Sequence, residues 1–314
     1  MNEYLAVFPG REAFYKGLSP SFYMQYDVVK RIFNEASDLL NEDIAMISYG
    51  GDIKRKPILH TACLITHCYA MYKILLKTIY DPYGVAGFSQ GEFTALTAAG
   101  CLKYPDVLML VYELERLAYE SQTIRKGKMV RVVGLEIDEL EKCCREADEK
   151  GEMLAVAIYL SKDQNIISGE RNAVDEVVAL AKKRGARWAI DLESPGAFHS
   201  PLCQSVLSHS DEIFDKYEFF DPVLPVFSCI DGQGYVNAGI LKDNLKVQIA
   251  KAVKWNAVIQ NVAAKNINHI VEIGPGCTVS GNSRLVQPDL KCTWINTVKD
   301  MKTQAKSIGW AARE

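Results

Sequence analysis

The sequence predicts an α/β protein, a large α/β-hydrolase-like domain carrying a small inserted ferredoxin-like unit. Three observations lead there. Short continuous apolar runs alternate with longer stretches of helical spacing, the pattern of strands buried on both faces with helices between them. Gly87-Phe88-Ser89-Gln90-Gly91 follows the short apolar run Gly84-Val85-Ala86 and precedes a helix-like segment, so a G-x-S-x-G turn sits between strand and helix. From 129 to 191 the predicted order is strand, helix, strand, strand, helix, strand, the split βαββαβ arrangement. A chain of 314 residues is long enough for one such domain with an insertion.

In chain order, 4–8 reads as a buried strand ended by Pro9-Gly10. Residues 28–40 carry apolar side chains at helical spacing, with Asp27 as a possible cap. The long apolar helix 60–79 contains His67 and Cys68, which read as core or groove residues because no partner sits at metal spacing. The strand and turn at 84–91 lead into a helix reaching about residue 99. A second helix, 105–121, opens with Pro105 in its first turn, where proline is tolerated. The composition shifts at Lys126-Gly127-Lys128, and 129–133, 153–159, 164–169 and 187–191 read as strands, with helices at 137–149 and 172–184. Residues 126–192 are therefore expected to form the inserted unit, and 1–125 with 193–314 the large domain. Later strands are expected at 223–229, 267–273 and 292–296. His269 reads as a residue at the end of a strand, without a catalytic part; that strand stops at Gly274-Pro275-Gly276.

Bulk properties narrow the function classes. Apolar content of 48% and charged content of 24% are those of a soluble globular protein. A formal net charge of -3 gives no electrostatic case for nucleic acid, and no basic run marks a membrane surface. Met1-Asn2-Glu3-Tyr4-Leu5 lacks the charged and apolar regions of a signal peptide, and no apolar run approaches the roughly 20 residues of a membrane span. The nine cysteines are scattered without a CxxC, and Cys143 and Cys144 are adjacent, so reduced thiols in a cytoplasm are expected.

The glycines of the 87–91 turn let backbone and serine hydroxyl approach a substrate carbonyl, and the helix that follows aims free N–H groups at the charge developing there. The competing reading is a tight strand–helix turn with an ordinary serine. A serine hydroxyl needs a base at neutral pH. Among five histidines, His199 stands out in the turn-rich stretch Ser194-Pro195-Gly196-Ala197-Phe198-His199-Ser200-Pro201-Leu202, just after the insertion returns to the large domain. From that placement alone, an exposed loop histidine is an equal reading.

Gly87-Phe88-Ser89-Gln90-Gly91-Glu92 and Gly196 to Leu202 resemble the nucleophile and histidine motifs of malonyl-CoA:acyl-carrier-protein transacylases and of polyketide synthase acyltransferase domains. Val7-Phe8-Pro9-Gly10 is similar to that family's opening strand and turn, and Val271-Glu272-Ile273-Gly274-Pro275-Gly276 to its late strand. The likeness spans essentially the whole chain, insertion included. It implies that Ser89 is acylated and that His199 serves as general base, then general acid. It also implies that a backbone carbonyl of a particular Gln orients His199 in place of a carboxylate. Gln248, seven residues before Trp255, matches that Gln in spacing; an exposed helix residue is the alternative. The oxyanion hole would use the backbone N–H groups of Gln90 and Arg11. Phe88, Leu114, Met129 and Phe198 would border the acyl group, and Gln164 matches a Gln lining the cleft, although Met129 and Gln164 read equally well as ordinary strand residues.

Two departures from the family pattern matter. The opening Gly-Gln-Gly-Ser-Gln becomes Gly10-Arg11-Glu12-Ala13-Phe14, so Arg11 replaces the Gln whose backbone N–H serves the hole. Its side chain either places a cation beside the acyl group or faces solvent. The position of the malonate-binding Arg, counted without gaps, falls on Leu114; Arg116 lies two residues and about 200° further round a helix. A malonyl carboxylate needs a bidentate cation, which leucine cannot supply. The expected acyl group is therefore uncharged, with malonyl through Arg11 or a shifted Arg116 as the alternative.

The resemblance implies a monomeric acyltransferase serving an acyl carrier protein in fatty-acid or polyketide biosynthesis, with acyl-CoA or a phosphopantetheinyl carrier as substrate and no metal or other cofactor. Two competing readings are an acyl hydrolase clearing stalled acyl groups from carrier proteins, and an idle docking module. Lys126, Lys128 and Arg187 are candidate basic residues near the cleft entrance for an acidic carrier.

Overall fold

The computed structural model describes residues 3–14, 17–50, 56–77, 81–121, 124, 126–151 and 153–305. Among the described residues ten strands form two sheets: β1 (Leu5–Phe8), β2 (Gly84–Gly87), β3 (Gly127–Val133), β4 (Leu154–Tyr159), β5 (Gln164–Glu170), β6 (Trp188–Asp191), β7 (Val226–Phe227), β8 (Gly234–Tyr235), β9 (His269–Ile273) and β10 (Lys291–Ile295). The main sheet runs β10-β9-β1-β2-β7-β8 and is parallel except for the β7–β8 edge pair. The small sheet is antiparallel in the order β4-β5-β3-β6. Counted within 127–191 this is the order 2-3-1-4 of a split βαβ unit, as the element order predicts.

Burial explains why the central strands lack alternation. Every residue of β1 and β2 is buried, because helices cover both faces of the parallel sheet. The helix Asp27–Leu40 packs Val29, Ile32, Phe33 and Ala36 inward at helical spacing and leaves its other face polar. The helix His60–Leu75 is buried nearly all round, which is why its sequence shows no polar stripe. In the small unit, Val130 and Val132 of β3 join Leu140, Val174 and Val177 in a separate core.

Several sequence expectations shift. Asp27 is the first residue of its helix and bonds Lys30, while Tyr26 occupies the cap. The helix from His60 stops at Leu75, and the expected end at 79 lies outside the described residues. The expected strand 223–229 shrinks to Val226–Phe227, because Pro222 and Pro225 withhold ladder donors and Val223 is 82% exposed. The expected strand 267–273 starts only at His269, which is buried and shares a hydrogen bond with Thr293 Oγ1.

In the register of the main sheet Phe8 lies opposite Gly87. The loops leaving β1 and β2 therefore emerge side by side at the carboxyl ends of two central strands, where open α/β sheets place their clefts.

Candidate active site

The turn after β2 carries Ser89 at φ 53°, and the loop of His199 holds that residue at φ 58°. Besides glycines, the only other described residues at positive φ are Asn41 and Asn266, a residue type that tolerates this region. Ser89 and His199 are thus held in a backbone conformation that costs their residue types free energy. Two glycines make the Ser89 turn possible. A Cβ on Gly87 would lie 1.9 Å from the carbonyl carbon of Gly91, and one on Gly91 would lie 2.2 Å from the carbonyl oxygen of Phe8.

Ser89 Oγ lies 2.6 Å from His199 Nε2. His199 Nδ1 lies 2.9 Å from the carbonyl oxygen of Gln248 and 3.1 Å from that of Lys251. Carbonyl oxygens only accept, so Nδ1 must carry the proton, and in the neutral ring Nε2 is left as the acceptor for the Ser89 hydroxyl. The imidazole is buried, which pushes its pKa below the usual histidine value, against a smaller upward pull from the two carbonyls. The acceptor from Lys251 carries no side-chain signal and was not foreseen in the sequence.

Gln248 is buried at the end of the helix Ala238–Gln248, and its side-chain amide donates to Glu92. Glu92 also accepts from the backbone N–H of Cys229 at 3.4 Å. Burial raises the Glu92 carboxyl to about 7, against hydrogen bonds that lower it. Glu92 thus reaches His199 only through Gln248, while Gln90 and Arg11 both stand at helix starts, where a backbone N–H has no intrahelical acceptor.

A cavity of about 450 Å³ opens beside Ser89 and His199, and Phe88, Leu114, Met129 and Phe198 all line it. The Arg11 side chain lies in it rather than in solvent. Its guanidinium pairs with Glu115, donates from Nε to Gln90 Oε1 at 3.2 Å and lies 5.6 Å from the centroid of the Phe198 ring. Glu115 Oε1 also accepts from Thr61 Oγ1 at 2.6 Å and Gln90 Nε2 at 2.5 Å. Arg116 is exposed and does not line the cavity, which removes it as a shifted carboxylate partner: one residue along a helix turns about 100°, and the inward position belongs to Glu115. Neither Glu115 nor Thr61 stood out in the sequence, since an isolated acid or hydroxyl on a helix has no motif.

Gln164, expected to line the cleft, is not among the residues lining the cavity; its Oε1 accepts at 3.0 Å from the guanidinium of Arg131, which does line it. Of the candidate basic residues near the entrance, Lys128 is bridged to Asp175 and Asp191, and Arg187 lies 3.7 Å from Asp163. His67 is buried against the Tyr49 hydroxyl, and burial lowers it to about 4. Among the described residues no group of three His, Cys, Asp or Glu could hold a metal ion, the nine cysteines are free, and no helix is long and apolar enough to cross a membrane.

Residues 70–300 match the family model of the acyl transferase domain. The chain is 28% identical over 310 residues to the malonyl CoA-acyl carrier protein transacylase of Bacillus subtilis strain 168, covering 98% of each chain. Among solved structures it superposes on an acyl carrier protein S-malonyltransferase from Vibrio cholerae with a TM-score of 0.91 at 26% identity, covering 96% of this chain and 99% of that one. MCAT from Streptococcus pneumoniae gives a TM-score of 0.91 at 27% identity, with 97% and 100% covered.

Proposed function

The chain belongs to the acyl transferase domain family and is an acyltransferase, and from that premise we propose that it carries an acyl group to the thiol of an acyl carrier protein through an ester on Ser89. The observation that carries this reading is the Ser89–His199 contact at 2.6 Å with Nδ1 held by two backbone carbonyls. His199 takes the hydroxyl proton as Ser89 Oγ attacks the thioester carbonyl, then returns it to the leaving thiolate. The backbone N–H groups of Gln90 and Arg11 receive the oxyanion of the tetrahedral intermediate. In the second half-reaction the roles reverse: His199 deprotonates the carrier thiol, which attacks the acyl-Ser89 carbonyl, and the proton passes back to Ser89. The donor in this reading is an acyl-CoA, no cofactor enters the chemistry, the enzyme works as a cytoplasmic monomer, and residues 126–192 form the inserted unit that closes one side of the cleft.

The acyl group in this reading is uncharged. The named relatives are malonyl enzymes, and their names favour malonyl. Three features of this chain's own cavity favour the uncharged group. Leu114 stands at the position where the resemblance calls for a carboxylate-binding Arg. The guanidinium of Arg11 is already committed to Glu115, and Arg116 faces solvent. A malonyl carboxylate would enter beside the Glu115 carboxylate without a free cation at that wall, and an unpaired buried charge costs several kcal/mol, on the order of 3–5.

Intact-protein mass spectrometry with a panel of acyl-CoAs, with and without carrier protein and with Ser89→Ala as control, tests the proposal. A short monocarboxylic acyl adduct on Ser89 that moves to the carrier supports it. Fastest loading by malonyl-CoA overturns the uncharged acyl group, and release of free acid in place of transfer makes the chain a hydrolase.

A further inference from the structure

The charged side chains lining the cavity do not all find partners. Arg11 is paired with Glu115, and Lys246 with Asp211 at 3.1 Å and Asp215 at 3.5 Å. Arg131 differs. Among the described residues its one side-chain hydrogen bond is the Gln164 contact, a neutral acceptor, and no ion pair to a carboxylate forms; burial alone, with no charged neighbour, sets its electrostatics. Glu193 lines the same cavity and makes no ion pair with it.

The position follows from strand alternation. Along β3, Val130 and Val132 point into the core of the small unit, so Met129 and Arg131 point the other way and line the cavity. Arg131 lies between Ile166 of β5 and Ile190 of β6 in register, on a wall whose other members include Met129, Ile158, Ile166 and Leu192. A guanidinium offers five N–H donors, and Gln164 accepts from one of its nitrogens. Placing it half-buried on an apolar wall disfavours the charge, and burial lowers its pKa accordingly. Such a site is completed by an oxyanion, which a planar fork binds bidentately.

We infer that Arg131, backed by Gln164, is an oxyanion-binding residue of the acyl-donor site, receiving a phosphate or a terminal carboxylate of the thioester substrate in the cavity it shares with Ser89. The inference rests on the acyl-Ser89 reading. Two substrate groups carry this chemistry: the phosphates of the CoA or carrier arm, and the free carboxylate of a dicarboxylic acyl chain.

Four donors separate them: acetyl-CoA, malonyl-CoA, and the acetyl and malonyl thioesters of pantetheine, which lacks phosphate. For each, kcat/KM for loading Ser89 is compared between the wild-type enzyme and Arg131→Gln, with Arg131→Lys as the charge-conserving variant and p-nitrophenyl acetate as a control for an intact site. We expect Arg131→Gln to lower kcat/KM for both CoA donors by about 10- to 100-fold through KM, with partial recovery in Arg131→Lys and little change for acetyl-pantetheine or p-nitrophenyl acetate. A loss confined to the two malonyl donors, with or without phosphate, also supports an oxyanion site but assigns it to the carboxylate; the uncharged acyl group then falls while Arg131 keeps its role. An unchanged variant, or an equal loss with acetyl-pantetheine and p-nitrophenyl acetate, which bring no anion, overturns the inference. Failure of wild-type Ser89 to load from any donor overturns the acyl-enzyme reading itself and this inference with it.

Discussion

Glu115→Gln is the substitution that asks most of the cavity. Glu115 and Arg11 form a pair whose side chains are 9% and 12% exposed, close to Gln90 and Thr61. Replacing Glu115 by alanine would leave the guanidinium without a charged partner, at an expected cost of about 3–5 kcal/mol, and the fold itself would be at stake. Glutamine keeps an oxygen for the Thr61 and Gln90 donors and removes only the charge. Arg11 is then free to take a carboxylate from the substrate. A hydrogen bond to a charged group is worth about 1.5–3 kcal/mol, and each 1.36 kcal/mol is tenfold, so the malonyl-to-acetyl ratio of kcat/KM should rise by about 10- to 150-fold. The assay is single-turnover loading of Ser89 from acetyl-CoA and malonyl-CoA, read by intact mass, in wild type and Glu115→Gln side by side. A ratio that stays where it was refutes the reasoning. So does a wild-type enzyme that already prefers malonyl and loses that preference in the variant, because Glu115 would then be assisting the carboxylate rather than excluding it.

The buried His199 titrates below its ordinary value of 6.5, and only its neutral form can accept the Ser89 proton. Loading should therefore hold constant from pH 8 down past 6.5 and decline only at lower pH; an acid limb centred above 7 contradicts this. Glu92 rises from 4.5 to about 7 in the folded state, so between those values the native protein holds a proton that the unfolded chain has released. Stability from this group is fully present below pH 4.5 and is lost as pH rises toward 7, by on the order of 3 kcal/mol. Urea titrations at pH 5 and pH 8 should show a smaller difference in Glu92→Gln than in wild type, and identical differences would dismiss the buried carboxyl as the cause. Gly87→Ala should destabilise by about 1–3 kcal/mol or more and abolish loading, since its Cβ would meet backbone rather than a movable side chain. A variant of wild-type melting temperature would show that the Ser89 turn can relax.

How far the sequence carries depends on whether a feature is local. The Ser89 turn is legible because its requirements lie within five residues, with the small residues Gly87 and Gly91 around a nucleophile between a strand and a helix. The βαββαβ order is legible for the same reason, since each element announces its own period. Boundaries set by neighbours are less so: Val223 to Pro225 look strand-like until two prolines withdraw the donors that a ladder needs. The acyl wall is least legible. Arg11 and Glu115 are 104 positions apart, and nothing in either segment names the other. Counting from Ser89 without gaps arrives at Leu114, which lines the cavity, but gives no sign that its neighbour Glu115 holds the cation.

That division has a chemical logic in the proposed mechanism. The proposed oxyanion donors are backbone N–H groups, and the acceptors on His199 are backbone carbonyls. A side-chain exchange that leaves the main chain in place leaves both functions in place, so Arg11 can replace a glutamine without removing a donor. Acyl selection in that mechanism has no such protection, because it rests on side-chain charge and volume along the cavity, at Arg11, Leu114, Glu115 and Arg131. One exchange near the oxyanion hole can thus spare the donor and rewrite the cavity. In that mechanism Arg11 contributes an N–H to the reaction and a guanidinium to the wall, and the two can be separated: Arg11→Gln should keep Ser89 acylation within about tenfold of wild type, the scale of one hydrogen bond, while leaving Glu115 without its cation. Loading of Ser89 by acetyl-CoA, measured alongside p-nitrophenyl acetate, checks that expectation. A loss of a hundredfold or more on both donors, with the fold intact by circular dichroism, would place the guanidinium itself in the chemistry and end the case for a backbone role alone.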